Sequence, residues 1–255
     1  MKETVLITGA TSGIGYGFVK IFAREKYKLV LVARNKKKLK ELKHKLIQYT
    51  EVHIIVQDLS EEDAADRIVK KLRKKSINID ILINNAGLGN YGFFPDTDTD
   101  IDKKLLMVNI STLTMLSKYI SKQMIERKKG RILNVSSISA FYSGPFMNTY
   151  FASKAYVLSF SIALANELAD KGITVSCLCP GPTSGTNFGK RAQYENKLNQ
   201  HHFMSINDVV EYSYRQLLKG KTIIVPGFKN KLLAFLPRLF SRKFIAGLTR
   251  KSAGF

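Results

Sequence analysis

Tyr150 and Lys154 stand four residues apart in Tyr150-Phe151-Ala152-Ser153-Lys154. On a helix that spacing puts both side chains on one face, one turn apart. An ammonium beside a phenol favours the phenolate, so Lys154 is expected to lower the tyrosine pKa from its ordinary value of about 10. Such a pair would give and take a proton near neutral pH. The strand-like stretch 131–137 comes shortly before it and ends in Ser136-Ser137. A hydroxyl there would bond the same substrate oxygen that the phenol reaches. Ordinary helix surfaces produce Tyr-x-x-x-Lys often, so the pair gains its meaning from the start of the chain.

The start of the chain reads as an anion site. Thr4-Val5-Leu6-Ile7-Thr8 is a continuous apolar strand of the kind buried in a parallel sheet. It runs into Gly9-Ala10-Thr11-Ser12-Gly13-Ile14-Gly15, and helical spacing follows at Phe18, Val19, Phe22 and Ala23. Free amides and a helix dipole at such a turn face a pyrophosphate, and glycines let the ligand approach. A second strand, 28–33, ends in Arg34, Asn35 and three lysines, where an NAD site would carry an acidic residue for the ribose. Arg34 instead offers a charged fork for a 2′-phosphate, with Ser12 or a neighbouring lysine assisting. The cofactor expected is therefore NADP(H) rather than NAD(H). Asp58, after a third strand at 52–56, would accept from an adenine amino group or cap the next helix. Asn84-Asn85-Ala86-Gly87 supplies small residues where backbone passes close to a ligand. Thr183 and Thr186, after Pro180-Gly181, are both eligible to bond a carboxamide.

These motifs need strands whose carboxyl ends converge. Strands at 80–84, 131–137, 173–179 and 222–225, with helices at 61–75, 102–126 and 207–218 between them, predict an α/β doubly wound parallel sheet. Ligands on such sheets bind beyond the strands' carboxyl ends. Asn109, polar among apolar neighbours, predicts a kink, a bound water or a satisfied core amide. Asp96-Thr97-Asp98-Thr99-Asp100 begins like a calcium loop, but Ile101 and Met107 occupy the places of its glycine and glutamate. Helix capping before Leu105 accounts for it better. Cys177 and Cys179 alternate along one strand as buried thiols; no bridge and no metal site are expected, in keeping with a reducing cytosol.

The formal charge of +21 invites a nucleic-acid or membrane partner. Its clusters fall at helix ends and solvent faces, and no nucleic-acid motif accompanies them, so no nucleic acid is expected. No apolar run is long enough to span a bilayer, and the opening residues do not read as an export signal. One domain, 1–227, is expected, with a substrate lid at 187–204 in which His201 and His202 lie at the surface. The tail, 228–255, is basic, without an acidic residue, and apolar at helical spacing. It would dock on its own domain or a partner subunit, or lie on an anionic membrane.

Together these motifs resemble the classical short-chain dehydrogenase/reductase family, over nearly the whole chain up to Val225. The resemblance implies a Rossmann-type fold and a catalytic set of Asn109, Ser137, Tyr150 and Lys154. Ser137 would polarise a carbonyl, Tyr150 would exchange the proton, and Lys154 would lower its pKa and hold the nicotinamide ribose. Asn109 would support a water leading from the lysine to solvent. The implied cofactor contacts are Gly9, Thr11, Ser12, Gly13, Ile14, Gly15, Arg34, Asp58, Leu59, Asn85, Ala86, Gly87, Tyr150, Lys154, Pro180, Gly181 and Thr183. It also implies dimers or tetramers built through the helices at 105–126 and 150–170. The activity expected is hydride exchange between NADP(H) and a ketone, aldehyde or secondary alcohol, by a cytoplasmic enzyme. Phe93-Phe94, Phe141-Tyr142 and the lid hint at a bulky or lipid-like substrate, with core packing as the alternative reading of the same residues. A non-catalytic nucleotide sensor or scaffold on the same fold is the rival reading.

Overall fold

The computed structural model describes residues 2–186, 188–192 and 203–252. Its centre is a seven-stranded parallel sheet in the order β3-β2-β1-β4-β5-β6-β9. In chain order these strands are β1 (Thr4–Thr8), β2 (Lys28–Ala33), β3 (Val52–Val56), β4 (Ile81–Asn84), β5 (Gly130–Val135), β6 (Ile173–Leu178) and β9 (Ile223–Ile224). A minor pair, β7 (Thr183–Ser184) and β8 (Met204–Ser205), brackets the expected lid.

Every residue of β1 is buried because both faces of the sheet are covered. Successive side chains point to opposite faces. Val5 and Ile7 therefore join one apolar layer with Phe18, Phe22 and Leu39, from helices α1 (Gly13–Arg24) and α2 (Lys36–Leu46). Leu6 joins the other with Ile68, Leu72, Leu116 and Ile120, from α3 (Ala64–Lys74) and α5 (Leu113–Glu126). The doubly wound fold follows from a strand buried at every position.

The helix expected at 102–126 is three pieces in continuous succession: α4 (Thr99–Leu106), a π-helical turn over Met107–Thr112, and α5. Asp98 caps it, accepting from the amides of Asp100 and Ile101, so the aspartate run serves as a helix start. The helix expected at 61–75 begins only at Ala64, and the strand expected at 131–137 stops at Val135. α6 (Asn148–Glu167) carries Tyr150, and α8 (Ile206–Leu218) leads to the last strand. Cys177 and Cys179 are buried free thiols with Sγ atoms 3.8 Å apart. Of the expected lid, a short helix α7 (Phe188–Arg191) and Ala192 are described; His201 and His202 lie outside the described residues. The tail folds as α9 (Phe228–Phe235), a 3-10 turn (Leu236–Arg238) and α10 (Arg242–Ser252).

Candidate active site

A cleft of about 1000 Å³ runs along the carboxyl ends of the strands. Seventeen of the residues expected to bind or react line it, from Gly9 and Arg34 at one end to Ser137, Tyr150 and Lys154 at the other. Gly15 and Asn109 do not reach the cleft wall. Both pack behind residues that do.

The glycine turn is held from behind. The Thr8 hydroxyl accepts from the amides of Asn85 and Ala86, each at 3.0 Å, tying β1 to the end of β4. Asn85 donates its side-chain amide to the Thr8 carbonyl at 2.9 Å. Gly9 and Gly13 have φ of +65° and +57°, a region that favours glycine. A Cβ on Gly9 would stand 2.8 Å from the Asn85 amide nitrogen, and one on Gly15 would collide with the Gly9 carbonyl oxygen. Gly15 thus serves close packing within the turn, while Gly13 meets only Thr186 at 3.6 Å and leaves its side of the cleft open. This open backbone at the start of α1 fits a pyrophosphate. Thr8 heads the glycine motif in the sequence, but its tie to the end of β4 was not expected, because a threonine closing an apolar strand looks like ordinary β-branched filling.

At the far end of the turn, Arg34 is exposed and its Nη1 lies 3.6 Å from Asp58 Oδ2. Asp58 does not cap α3; Asp63 occupies that position. Instead Asp58 Oδ1 accepts from the Ser60 amide and hydroxyl at 2.9 and 2.8 Å. Burial pushes the Asp58 carboxyl up, but Ser60 and then Arg34 more than offset it, leaving the pKa below the ordinary carboxylate value. Asn35 and Lys38 line the cleft beside Arg34, so this corner is cationic and solvent-facing. Leu59 forms the neighbouring apolar wall, its carbonyl fixed by the Thr112 hydroxyl at 2.8 Å.

The reactive end is built on α6. Tyr150 and Lys154 are both buried on its inner face. Lys154 Nζ donates to the Val135 carbonyl at 3.0 Å and lies 5.7 Å from the centroid of the Tyr150 ring. Ser136 donates its hydroxyl to the Lys154 carbonyl at 2.7 Å and is thereby spent. Ser137 caps the following 3-10 turn (Ile138–Phe141), accepting from the Ser139 amide at 3.1 Å. Its hydroxyl and that of Ser139 face the Tyr150 phenol. Geometry therefore selects Ser137 over Ser136. Ser139 Oγ, buried and without a partner in strict hydrogen-bond geometry, is a second cleft-lining hydroxyl that sequence spacing alone did not flag.

The electrostatics overturn one expectation. Burial pushes Tyr150 up to about 12, and the Ser137 and Ser139 hydroxyls only partly oppose it. Lys154 does not lower the phenol pKa here. Burial pulls Lys154 itself down to about 8, with Cys177 and Cys179 opposing the change. A lysine beneath the ring costs its own charge before it can stabilise a phenolate.

Asn109, fully buried in the π-helical turn, accepts from the Leu88 amide at 2.9 Å and donates to the Leu88 carbonyl and Ser153 hydroxyl, each at 3.0 Å. It is both the irregular point of the helix and a satisfied amide. The loop after β4 is thus clamped to α6 across Asn109. A Cβ at Gly87 would sit 3.3 Å from Lys154 Nζ and 3.5 Å from Asn109 Oδ1, so only a small residue keeps this floor accessible. At the mouth, the Thr183 hydroxyl turns back to the Gly181 carbonyl at 2.9 Å, and Thr186 sits over Gly13. Both threonines line the cleft.

Above Tyr150 the wall is apolar. Leu88, Met147, Phe151 and Phe188 line the cleft, with the Phe188 ring centroid 4.9 Å from that of Tyr150. Phe93 and Phe94, expected there, are instead exposed on the surface, and Phe141 packs beneath with Val157 and Cys177. Only Tyr142 of that expected group lines the cleft.

The chain matches the short chain dehydrogenase family over residues 3–197. It is 38% identical over 184 residues to a very-long-chain 3-oxoacyl-CoA reductase of Anas platyrhynchos, covering 69% of this chain and 58% of that protein. It is 31% identical over 221 residues to a short chain dehydrogenase of Pseudocercospora fijiensis, covering 86% and 69%. The chain thus spans less than two thirds of the first of these relatives. Among solved structures, a short-chain dehydrogenase from Sphingobium yanoikuyae in complex with NADPH superposes with a TM-score of 0.82, at 32% identity, covering 89% and 88% of the two chains. A bulky-bulky ketone specific alcohol dehydrogenase from Comamonas testosteroni gives 0.77 at 29% identity, covering 99% and 92%. With a glycine-lined cleft that ends in Ser137 and the buried Tyr150 and Lys154, and with these relatives, the chain belongs to the short chain dehydrogenase family.

Proposed function

We propose that this protein is an NADP(H)-dependent reductase or dehydrogenase that acts on a ketone, aldehyde or secondary alcohol with a bulky apolar body. The observation that carries the reading is the Tyr150 phenol, buried at the reactive end of the cleft with the Ser137 hydroxyl facing it and Lys154 one turn on.

The nicotinamide of bound NADP(H) would supply or take the hydride. The chain's own residues handle the proton and the oxygen. With a pKa near 12, Tyr150 is fully protonated at neutral pH, the form that reduction needs. It donates its proton to the carbonyl oxygen while the Ser137 hydroxyl donates a hydrogen bond to the same atom, stabilising charge as it develops. Lys154, held by the Val135 carbonyl, stands ready to bond a ribose hydroxyl. Asn109 keeps the Leu88 loop and α6 in register beneath. Arg34, Asn35 and Lys38 supply the cationic corner for a 2′-phosphate.

The apolar wall of Leu88, Met147, Phe151 and Phe188 supports the bulky substrate. So do the relatives, one named for a very-long-chain 3-oxoacyl-CoA and one for bulky-bulky ketones. A cytosolic homodimer or homotetramer completes the reading.

Tyr150→Phe is the test. NADPH binding, followed by fluorescence titration, should be unchanged, while NADPH-dependent reduction of bulky ketones should fall by about 10²–10⁴-fold, the worth of a positioned general acid. Turnover at the wild-type rate in this variant would overturn the assignment.

A further inference from the structure

We propose that the tail helices dock the substrate end of the cleft onto an anionic lipid surface. This goes beyond the reaction assigned above and rests on it only in calling that end of the cleft the substrate end.

α9 and α10 are held to the domain by few inward groups. Asn230 donates to the Pro226 carbonyl at 2.8 Å, Ala234 and Ile245 are buried, and the Thr249 hydroxyl donates to the Ser143 carbonyl at 2.7 Å. Most of the remaining apolar side chains point outward. Phe228, Leu232 and Phe235 recur at helical spacing on α9, and Phe244 and Leu248 do so on α10. All are at least half exposed, with Phe228 at 81%. Phe240, next to them in the chain, is almost half exposed and stacks on Phe244 at 5.3 Å. Isolated exposed hydrophobes are ordinary, but a run of them on two successive helices marks an interaction surface.

Charge selects the occupant. The same segment carries Lys229, Lys231, Arg238, Arg242, Lys243, Arg250 and Lys251, and no acidic residue. A second copy seated on this face about a two-fold axis would bring like charges together. An anionic bilayer surface instead matches aromatic and leucine side chains framed by lysine and arginine.

Position gives the docking a direction. Segment 143–147 is bonded on one side by α10, through Thr249 and Ser143. On the other side the Gly92 amide donates to the Phe146 carbonyl at 2.9 Å. Phe93 and Phe94, next to Gly92, are about 60% exposed. Tyr142 and Met147, at the two ends of this segment, line the cleft. Exposed aromatics therefore flank the mouth of the substrate end, and a bilayer touching both groups would cover that mouth.

The test is flotation of the full chain with vesicles of phosphatidylcholine alone and of phosphatidylcholine mixed with phosphatidylglycerol. The protein should float with the anionic vesicles, remain at the bottom with the neutral ones, and be released by high salt. F240E/F244E and, separately, F93E/F94E should each cut flotation about tenfold, because each puts carboxylates where phenyl rings would be buried. A wild-type melting temperature keeps the comparison to folded protein. Wild-type protein left at the bottom of the anionic gradient, or floating equally with both vesicles, overturns the proposal. A dimer that F240E/F244E converts to monomer, without flotation, overturns it in favour of a second copy. Undiminished flotation of F93E/F94E overturns the orientation of the mouth.

Discussion

Lys154 sits where a charge is expensive. It is 4% exposed, with one carbonyl as its partner, and its pKa is about 8 against an ordinary value of about 10.4. Between those values the unfolded chain holds a proton that the folded chain has released, so stability rises with pH across that window. Measured by urea unfolding, wild type should gain on the order of 1–3 kcal/mol relative to Lys154→Met between pH 8 and pH 10. A constant difference across those pH values would show that the lysine keeps its charge on folding. Tyr150 runs the other way. Its raised pKa places any related loss above pH 10, outside the same titration. Arg34 gives a residue-scale prediction of another kind. Arg34→Ala should weaken NADPH about 10–100-fold and leave NADH within about twofold, since only the phosphate loses a charged partner; titration of both nucleotides measures it. The tyrosine-lysine spacing was legible in the chain, but the sign of the phenol's pKa shift was not. Four residues of helix fix which face the two share, whereas burial on that face depends on β5, β6 and the loop packed over it.

At the scale of elements, the site depends on junctions. β1 and β4 are joined at their carboxyl ends through the Thr8 hydroxyl, and the π-helical turn is joined to α6 through Asn109. Thr8→Val keeps the shape of the strand but leaves the Ala86 N–H without a partner and the Asn85 N–H with only the Ile83 carbonyl. It should cost about 1–3 kcal/mol in urea unfolding and weaken NADPH binding by loosening the glycine turn. Unaltered stability would mean that water or a small shift satisfies those amides. The order of strands and helices was readable because apolar runs, glycine turns and capping aspartates are local signals. Helix and strand ends were less so: the strand ends at Val135, and although the Ser136 amide still donates to the Leu178 carbonyl at 2.7 Å, Ser137 turns to cap the 3-10 turn that follows. Asp58 likewise gives its side chain to Ser60 rather than to α3.

At the scale of the whole molecule, exposed apolar side chains on α5 and α6 bear on the expected assembly. Tyr156 and Ile162 on α6 and Ile125 on α5 are partly exposed apolar side chains, and Tyr156 stacks on Phe160 at 5.8 Å. If these helices form the subunit interface, Ile162→Lys should shift the protein to monomer in analytical ultracentrifugation; an unchanged mass would place the interface elsewhere. The sequence by itself determined the doubly wound sheet, the glycine turn, and the serine, tyrosine and lysine that share the cleft. The sheet, the turn and the tyrosine-lysine pair are written in periodicity and spacing, which act over a few residues; the choice of Ser137 over Ser136 rested on the family resemblance. Tertiary structure alone decided that Gly15 packs inside the turn, that Phe93 and Phe94 face outward while Phe188 covers the tyrosine, and that the phenol is buried deeply enough to stay protonated. Those outcomes depend on which distant segments come into contact and exclude water, and no local pattern encodes that.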